Sequence, residues 1–396
     1  MKKILFIVLF INVTVFSQEK ELFIFDNNTK KPVSKVQVFY KELNEGSITN
    51  DDGKTKIFLK NTDLSISHIN YNNKIISKHN IKKIDTIWLT QKIHELKEIY
   101  LTKIDLEKKL NYVLENYSKL YVNHSTEKEC SFKETFLMDN EFKRLFLSEL
   151  RWWSRSSSLI YNKKYDKFIK LKLGKIKYNK SEPLNLSKNE KKNNNSGAIT
   201  TKSLINFFYL NHAIKSLLLP KTGQIESTID NIDKEITTIS YTTEWKLDSK
   251  GVSNRNVGLI IFDNKTNAIK KFIKNIEYKN RINKTTNKET NISKIVEYMN
   301  NSFEYNFVKD NNDFWSLKHF NTSVEVLLTY DGKPHKLNFS NTLYVLKETK
   351  IKKVNNDGLM DLDKPIYKNL PSKTITNTNS ILLTEKEKKF IYDSKQ

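Results

Sequence analysis

Short stretches in which apolar and polar residues alternate dominate this chain, and few stretches have helical spacing. Between residues 20 and 101, short apolar runs are separated by turn-forming segments such as Asn50-Asp51-Asp52-Gly53. Asp and Asn side chains bond their own backbone in such turns, and Gly supplies positive φ. Val36, Val38 and Tyr40 recur at the period of a half-buried strand. Several strands at this spacing, without helices between them, predict a small β-sandwich.

A helical pattern follows the predicted sandwich. Asp105 is a residue type that caps helices, and seven apolar residues after it lie on one helical stripe. They are Leu106, Leu110, Val113, Leu114, Tyr117, Leu120 and Tyr121. We expect this amphipathic helix, within a connecting segment of residues 102–122, to bury its stripe against the sheet of a second domain.

Strand patterns return from residue 123 to 350. The candidate strands are residues 132–138, 144–153, 167–173, 235–245, 257–263, 268–278, 314–319, 323–329 and 336–346. The polar stretch 178–203 predicts a mobile loop, residues 204–219 predict a helix that ends at Pro220, and residues 351–396 have the composition of a polar C-terminal tail. The predicted fold is mainly β: an N-terminal Greek-key-like β-sandwich, then an α+β domain with a curved antiparallel sheet and a few helices.

Five segments of the predicted sandwich fall in a familiar order. They are Thr29-Lys30-Lys31-Pro32-Val33, Val36-Gln37-Val38, Ser47-Ile48-Thr49-Asn50-Asp51-Asp52-Gly53-Lys54, Leu64-Ser65-Ile66-Ser67-His68-Ile69-Asn70-Tyr71 and Leu96-Lys97-Glu98-Ile99. Residues 18–101 thereby resemble the carboxypeptidase regulatory-like domain, a transthyretin-like β-sandwich common at the N-termini of exported envelope proteins, notably in Bacteroidota. Phe23 and Asn70 stand where that family usually has Gly. Because its members are generally non-catalytic, the resemblance implies a binding or folding module.

Two pieces of the second domain also resemble known strands. Gly258-Leu259-Ile260-Ile261-Phe262-Asp263, and Phe314-Trp315-Ser316-Leu317 leading to Tyr330-Asp331-Gly332-Lys333, are similar to strands of the half-barrel in envelope lipoprotein-carrier-like domains. That resemblance implies a curved antiparallel sheet around an apolar hollow, with residues 204–219 as its lid.

The N-terminus has the layout of a secretory signal peptide. Lys2 and Lys3 precede an apolar stretch from Ile4 to Phe16, and Ser17 precedes Gln18. We predict a signal peptide of residues 1–17, cleaved after Ser17. The alternative is an uncleaved anchor, but the apolar stretch is shorter than the ~20 residues that a helical span needs. We therefore expect an exported protein in the periplasm, at the outer membrane or outside the cell, without a transmembrane helix in the mature chain.

The formal charge of +23 invites a nucleic-acid interpretation. Nucleic-acid surfaces favour arginine for bidentate and stacking contacts, yet only five of the 68 Lys and Arg residues here are arginines. A general bias toward Lys, Asn and Ile explains the charge more simply, as a solvated surface. We expect no nucleic-acid partner, whereas anionic lipid or envelope polysaccharide is a chemically reasonable weak partner.

The residue types that carry catalysis or bind metals form no recognised motif. The segment from His94 to Glu98 approaches the zinc-protease pattern but lacks its second histidine. The acidic groups near Gly53 and Gly358 do not reproduce the EF-hand spacing and are explained by turn chemistry. The single cysteine, Cys130, is interpreted as a buried small hydrophobe. We predict no cofactor and a non-catalytic protein.

Arg151-Trp152-Trp153-Ser154-Arg155 is the most suggestive cluster in the sequence. Neighbouring residues of a strand point to opposite faces, so one tryptophan is expected inside and the other outside, where it could stack on a sugar or lie at a membrane interface. The simpler alternative is an aromatic side chain that covers a neighbouring loop or the joint between the two domains. The residues predicted to contact a ligand are Arg151, Trp152, Trp153, Phe207 and Phe208.

Three functions stay open on the sequence. The first is a non-enzymatic envelope protein that binds a hydrophobic or amphipathic ligand in its second domain. The second is an interaction module of an envelope assembly, whose partner is another envelope protein. The third, an enzyme of carbohydrate or peptide processing, needs a cluster of acids or metal ligands that the sequence does not place together.

Overall fold

The fold is described from a computed structural model of the chain. It describes residues 19–68, 70–92, 104–159, 167–182, 184, 186, 199–219, 223–249, 251–286, 292–369 and 382–392. The predicted signal peptide, the segment from His94 to Glu98 and most of the predicted loop 178–203 lie outside these residues. The described residues are 55% strand and 15% helix, with large antiparallel sheets. The prediction of a mainly β fold with a few helices is confirmed.

Seven strands build the N-terminal sandwich. They are β1 (Glu19–Asp26), β2 (Gln37–Tyr40), β3 (Glu45–Ile48), β4 (Lys54–Phe58), β5 (Leu64–His68), β6 (Tyr71–Ile76) and β7 (Thr86–Leu89). The order β4-β1-β7 forms one small sheet, and β3-β2-β5-β6 forms the other layer. Val36, Val38 and Tyr40 are buried between the layers, as their alternation predicts. The sandwich therefore has an apolar core of its own.

The large sheet is an antiparallel array in the order β11-β12-β14-β15-β17-β18-β19-β8-β9-β10. Its strands are β8 (Thr126–Met138), β9 (Glu141–Ser154), β10 (Ile169–Ser181), β11 (Ile225–Ile232), β12 (Ile236–Thr243), β13 (Lys246–Leu247), β14 (Ser253–Asp263), β15 (Ile269–Lys279), β16 (Ile282–Thr286), β17 (Ser293–Lys309), β18 (Trp315–Tyr330) and β19 (Lys333–Lys350). The sequence pattern missed β11, β13, β16 and β17. It also divided β18 into two strands.

Five α-helices accompany the sheets in the described residues. They are α1 (Leu106–Glu115), α2 (Tyr117–Leu120), α3 (Thr201–Phe207), α4 (Leu210–Leu217) and α5 (Glu385–Tyr392). Asp105 caps α1 as predicted, since its Oδ1 accepts from the Lys108 backbone N–H at 2.9 Å. The single helix predicted at 204–219 is instead two helices, because Tyr209 between them is extended, with φ −102° and ψ 114°. Among the described residues, no helix combines the length and apolarity needed to cross a bilayer.

Helices α1 to α4 all pack on one face of the large sheet, which we call the helix face. Leu110 and Val113 of the predicted stripe are fully buried there. The Tyr121 hydroxyl donates to the Ile269 carbonyl at 3.1 Å and accepts from the Ile269 N–H at 2.9 Å. The expectation that the connecting helix lies against the second sheet is confirmed.

The N-terminal sandwich lies on the opposite face, which we call the sandwich face. β3 pairs with β19 through Glu45 and Lys347. The Asn44 side chain accepts from the Lys318 ammonium at 2.8 Å and donates to the Glu348 carbonyl at 3.3 Å. The ammonium of Lys35 contacts Glu304 of β17 at 2.6 Å. Polar contacts therefore join the sandwich to the large sheet.

The C-terminal segment joins the same assembly. Leu383 packs against Leu145 and Leu147 of β9, and the Asn50 side chain donates to the Leu382 and Leu383 carbonyls at 3.3 and 3.2 Å. Residues 351–369 run beside β9 and β10, with Met360 and Ile366 buried in the core. The described parts of the predicted polar tail are thus packed against the fold.

We expect Tyr121→Phe to lower the free energy of unfolding by about 2 kcal/mol, because it leaves the buried Ile269 N–H and carbonyl without their hydroxyl partner. Urea unfolding measures this change. The matched control is Tyr112→Phe, whose ring is 42% exposed on α1 and should change stability little. Equal stability of the two variants would show that the Tyr121 hydroxyl contributes nothing.

Candidate functional site

The strand register arranges the helix face into three parallel rows across six strands, β14, β15, β17, β18, β19 and β8. Same-face neighbours along a strand are about 6.8 Å apart. The deep row is Ile260, Phe272, Tyr305, Phe320, Leu343 and Phe132; the polar row is Gly258, Lys274, Phe303, Thr322, Asn341 and Glu134; the outer row is Asn256, Ile276, Asn301, Val324, Phe339 and Phe136. The chemistry of the face therefore changes row by row.

The deep row is apolar and fully packed. Its six side chains are at most 1% exposed, and α3 and α4 supply the apolar side chains above them, among them Phe208 and Ile214. A void wide enough for water would leave such side chains accessible, so these helices fill this part of the face. The expectation of an apolar hollow beneath a lid at residues 204–219 is wrong for the deep row.

Lys274 places an ammonium group in the polar row. The residue is 5% exposed, and its Nζ donates to the Ser216 hydroxyl of α4 at 2.6 Å. No carboxylate of the described residues lies within 4.0 Å of it, whereas Lys271 on the opposite face contacts Glu304 at 3.1 Å. A buried ammonium usually has a charged partner, because desolvation of an unpaired charge is costly.

The titration of the groups around Lys274 reflects this burial. Burial alone lowers the pKa of Lys274 to about 8. His212 of α4 has its pKa lowered to about 4, first by burial and then by the positive charges of Lys274 and Lys215. His212 is therefore neutral at pH 7 and does not add to the local positive charge.

Two asparagines flank Ile276 in the outer row beside Lys274. Asn256 is 3% exposed, and its Oδ1 has no hydrogen-bond partner among the described residues. The Asn301 Nδ2 donates to the Tyr278 hydroxyl at 3.3 Å, and its buried Oδ1 likewise has no partner there. This part of the face thus has hydrogen-bonding capacity that the described protein groups do not use.

Because Gly258 has no side chain, it leaves space in the polar row for an aromatic side chain from β12. A Cβ at this position would lie 2.6 Å from the Tyr241 hydroxyl and 2.0 Å from the Ile273 carbonyl oxygen. The Tyr241 hydroxyl donates to that carbonyl at 3.1 Å. Tyr241 consequently closes the row on the β12 side of Lys274.

An ion pair occupies the other end of the polar row, four strands or about 19 Å from Lys274. The Arg144 guanidinium contacts Glu134 at 2.8 Å, with both side chains less than 9% exposed. It also lies 4.3 Å from the ring centre of Tyr367. Burial raises the pKa of Glu134, and the neighbouring Arg144 opposes that shift. Here the buried cation has the partner that Lys274 lacks.

From Val324, Phe339 and Phe136 of the outer row onward, the helix face becomes apolar again, in a region that we call the distal shelf. Its buried members are Phe136, Val326, Leu328, Tyr330 and Leu337, and its partly buried members include Met138, Leu184, Leu186, Ile292, Val296, Tyr298, Val324 and Phe339. The helices pack on the core that contains the deep row and not on this cluster. Phe136 and Phe339 stack with ring centres 4.4 Å apart. The shelf is an apolar surface that the helices leave partly open.

Arg281 lies beside the distal shelf, just past the end of β15. Its guanidinium is 4.3 Å from the ring centre of Tyr278 and 4.6 Å from that of Tyr298. A cation held between two aromatic faces is attracted by both rings. The half-buried Arg281 therefore places a positive charge at the edge of the distal shelf.

The five residues predicted to contact a ligand do not form one site. Trp152 packs against Phe208 in the apolar core, with ring centres 5.3 Å apart. Trp153 lies on the opposite face, where its Nε1 donates to the Ile351 carbonyl. Both tryptophans are buried, at 3% and 6% exposure, so the expectation that one of them is exposed is wrong.

The remaining two predicted residues lie apart. Arg151 faces Glu127 at 3.8 Å on the sandwich face. Phe207 is half-buried near the polar row, where its ring contacts Phe303 at 5.0 Å. The alternative reading, in which an aromatic side chain covers a neighbouring loop, describes Trp153 well, because residues 351–354 run over it.

Lys274 was not among the predicted site residues, although the sequence carried a signal. Phe272, Lys274 and Ile276 share one face of a predicted strand, so the alternation puts a lysine in an apolar series. Asn256 and Asn301 gave no comparable signal, because Asn256 lies just before the predicted strand 257–263 and Asn301 lies in β17, which was not predicted. Among the described residues, no three His, Cys, Asp or Glu side chains are arranged to hold a metal ion.

No protein-family model matches the chain, and no curated protein sequence matches it either.

We expect Lys274→Met to be more stable than the wild type by about 3 kcal/mol at pH 7, since the pKa of Lys274 falls from 10.5 to about 8 on burial. Between those pH values the unfolded chain binds more protons, so the destabilising contribution of Lys274 is full below pH 8 and is lost by pH 10.5. Urea unfolding at pH 7, 9 and 10.5 should show the gap between variant and wild type closing.

The matched control for this comparison is Lys284→Met, at an exposed position of β16, which should show no such pH dependence. Lys318, whose pKa is also lowered to about 8, is present in every variant and cancels in the difference. A Lys274→Met protein less stable than the wild type at pH 7 would contradict the expectation and make the ammonium a net stabilising group.

Proposed function

We propose that this protein is a non-catalytic binding protein for an amphipathic ligand, which it holds on the helix face of the large sheet. The single observation that carries the proposal is that apolar and polar surfaces lie side by side on that face. A partly open apolar shelf lies directly beside a polar row that contains buried charges. A ligand with an apolar chain and a polar group matches both surfaces at once.

The distal shelf is the part of the face suited to the apolar chain. Val296, Val324 and Phe339 are apolar and only partly buried, so a ligand chain laid across them removes more of their surface from water. Each buried methylene contributes about 0.8 kcal/mol. A chain of ordinary acyl length therefore gains substantial binding free energy from the shelf alone.

We also propose that the chain is exported to the cell envelope, in the periplasm or at the outer membrane. The charged and apolar pattern of residues 1–17 supports this proposal. The resemblance of residues 18–101 to the carboxypeptidase regulatory-like domain supports it too, as does the need of envelope proteins to handle amphiphiles.

Export has a direct test. N-terminal sequencing of the protein recovered from the envelope fraction of an expressing bacterium should begin at Gln18. A protein that keeps Met1, or that stays in the cytoplasmic fraction, would refute the export proposal and leave the binding proposal standing.

Binding is tested with a dansyl-labelled fatty acid, whose fluorescence rises in an apolar environment. We expect the wild type to bind it, and Val324→Asn to bind it about tenfold more weakly, because the substitution puts an amide among the apolar side chains at the edge of the shelf that is nearer to the polar row. The control is Leu327→Asn, at a half-buried position on the other face of the same strand. Thermal melts establish that both variants are folded.

Two results of that experiment would count against the proposal. The first is a wild type that does not raise the probe's fluorescence. The second is a Val324→Asn protein that binds as tightly as the wild type while Leu327→Asn binds weakly, which would move the apolar contact to the opposite face.

A second candidate function, an interaction module, is favoured by exposed apolar side chains on the two layers of the sandwich. Trp88 is 40% exposed and packs on Phe25 at 5.4 Å, and Ile75 on the neighbouring β6 is 72% exposed. Exposed aromatic and aliphatic groups of this kind occur at protein interfaces. Crosslinking in the cell envelope from a photoreactive residue at position 75 distinguishes this function, since an amphiphile carrier gives no specific protein adduct there.

A further inference from the structure

We infer that Lys274 is the counter-ion of an anionic ligand head group, so that the ligand is a single-chain amphiphile with a carboxylate, such as a long-chain fatty acid. This inference rests on the proposed function and names the ligand class for the same face. It depends on three observations: a buried ammonium without an acid, unused hydrogen-bonding groups beside it, and an apolar shelf in the adjoining rows.

The first observation is the missing acid. Arg144, a buried cation on this face, pairs with Glu134 at 2.8 Å. The Lys274 ammonium meets only the Ser216 hydroxyl within the described residues, at 2.6 Å. An ammonium has three donors, so two remain for another acceptor. A carboxylate brought by a ligand supplies both the charge and the acceptors.

The second observation is the pair of asparagines in the adjoining row. The Oδ1 atoms of Asn256 and Asn301 are buried without a partner among the described residues, and Asn256 is only 3% exposed. An amide side chain can present either its oxygen or its NH₂ group toward the same space. Polar ligand atoms at this place can therefore meet hydrogen-bonding groups in addition to the ammonium.

The third observation connects the charge to the shelf. Lys274 pairs with Phe303 on the neighbouring strand. In the next row, Ile276 pairs with Asn301, and the row continues across the sheet with Val324 and Phe339. An amphiphile with its carboxylate at Lys274 therefore has apolar side chains beside its chain. Neighbouring strands are about 4.8 Å apart, so an acyl chain crosses several of them.

The nearby positive groups favour an anion over a cation. Lys215 of α4 lies near enough to act, together with Lys274, on the pKa of His212, and Ser216 is the hydrogen-bond partner found for the Lys274 ammonium in the described part of the chain. A neutral head group would leave the ammonium uncompensated. Charge complementarity thus selects an anionic head group, and a fatty-acid carboxylate is the smallest such group among the common single-chain lipids.

The test compares oleate with oleyl alcohol, which has the same chain and no charge, by displacement of the dansyl probe at pH 7. We expect the wild type to bind oleate about tenfold more tightly than the alcohol, the effect of one charge-assisted hydrogen bond. Lys274→Met should lose that preference and bind the alcohol as the wild type does. Lys284→Met, at an exposed position of β16, is the matched control and should keep the preference.

A second readout does not depend on competition. The carboxyl resonance of ¹³C-labelled oleate, followed by NMR during a pH titration, should show a lower carboxyl pKa when bound to the wild type than when bound to Lys274→Met. This signature reports a cation beside the carboxylate, which a purely structural role of Lys274 does not produce.

The outcomes separate the two proposals. If both ligands bind the wild type equally and Lys274→Met changes neither, the head-group inference is overturned and the proposed function stands. If neither ligand binds the wild type, the proposed function fails, and the inference fails with it. If Lys274→Met weakens oleate and oleyl alcohol alike while remaining folded, the lysine supports the shape of the face and is not a counter-ion.

Discussion

The burial of one face of the large sheet by helices α1 to α4 is the constraint on which the rest of the structure depends. Six deep-row side chains from six strands meet these helices and are almost entirely removed from water. At about 25 cal/mol for each Å² of buried apolar area, this contact is a principal source of the domain's stability. Because a one-residue shift would turn every one of these side chains outward, the helices also fix the strand register.

That fixed register decides where the polar groups lie. Lys274 follows Phe272 by two residues in β15, so a register that buries Phe272 carries Lys274 onto the same face. The same relation joins Phe132 to Glu134 in β8. The charges of the polar row are thus placed by the packing of the row beneath them. The helices do not pack on the apolar cluster beyond this row, and several of its side chains stay partly exposed.

Much of the fold could be predicted from local patterns. The stripe from Leu106 to Tyr121 and the cap at Asp105 follow from helical spacing, and β14 and β15 follow from dense runs of apolar residues. β17 was missed because a bulge between Tyr298 and Asn300 shifts its alternation partway along and because its polar residues mask the period. The break between α3 and α4 was missed since it depends on Tyr209 packing against Trp152.

The candidate site was harder to predict than the fold, for a physical reason. Trp152 and Trp153 attracted attention as residue types, but each is buried by elements distant in sequence, α3–α4 for one and residues 351–354 for the other. Lys274 belongs to the commonest residue type of the chain. It becomes unusual only when the neighbouring strands and α4 are in place and no acid is found beside it. A site defined by a missing partner cannot be recognised from one strand alone.

The contacts between Asn50 and the carbonyls of Leu382 and Leu383 have a consequence for the order of folding. They join residues 332 and 333 positions apart. A ribosome delivers the sandwich first and the C-terminal segment last, so the sandwich can fold early on its own core but cannot complete its attachment until synthesis is nearly finished. Contacts of such long range form slowly. During that interval the sandwich face of the large sheet is exposed, and a growing chain is then most open to chaperones and to aggregation.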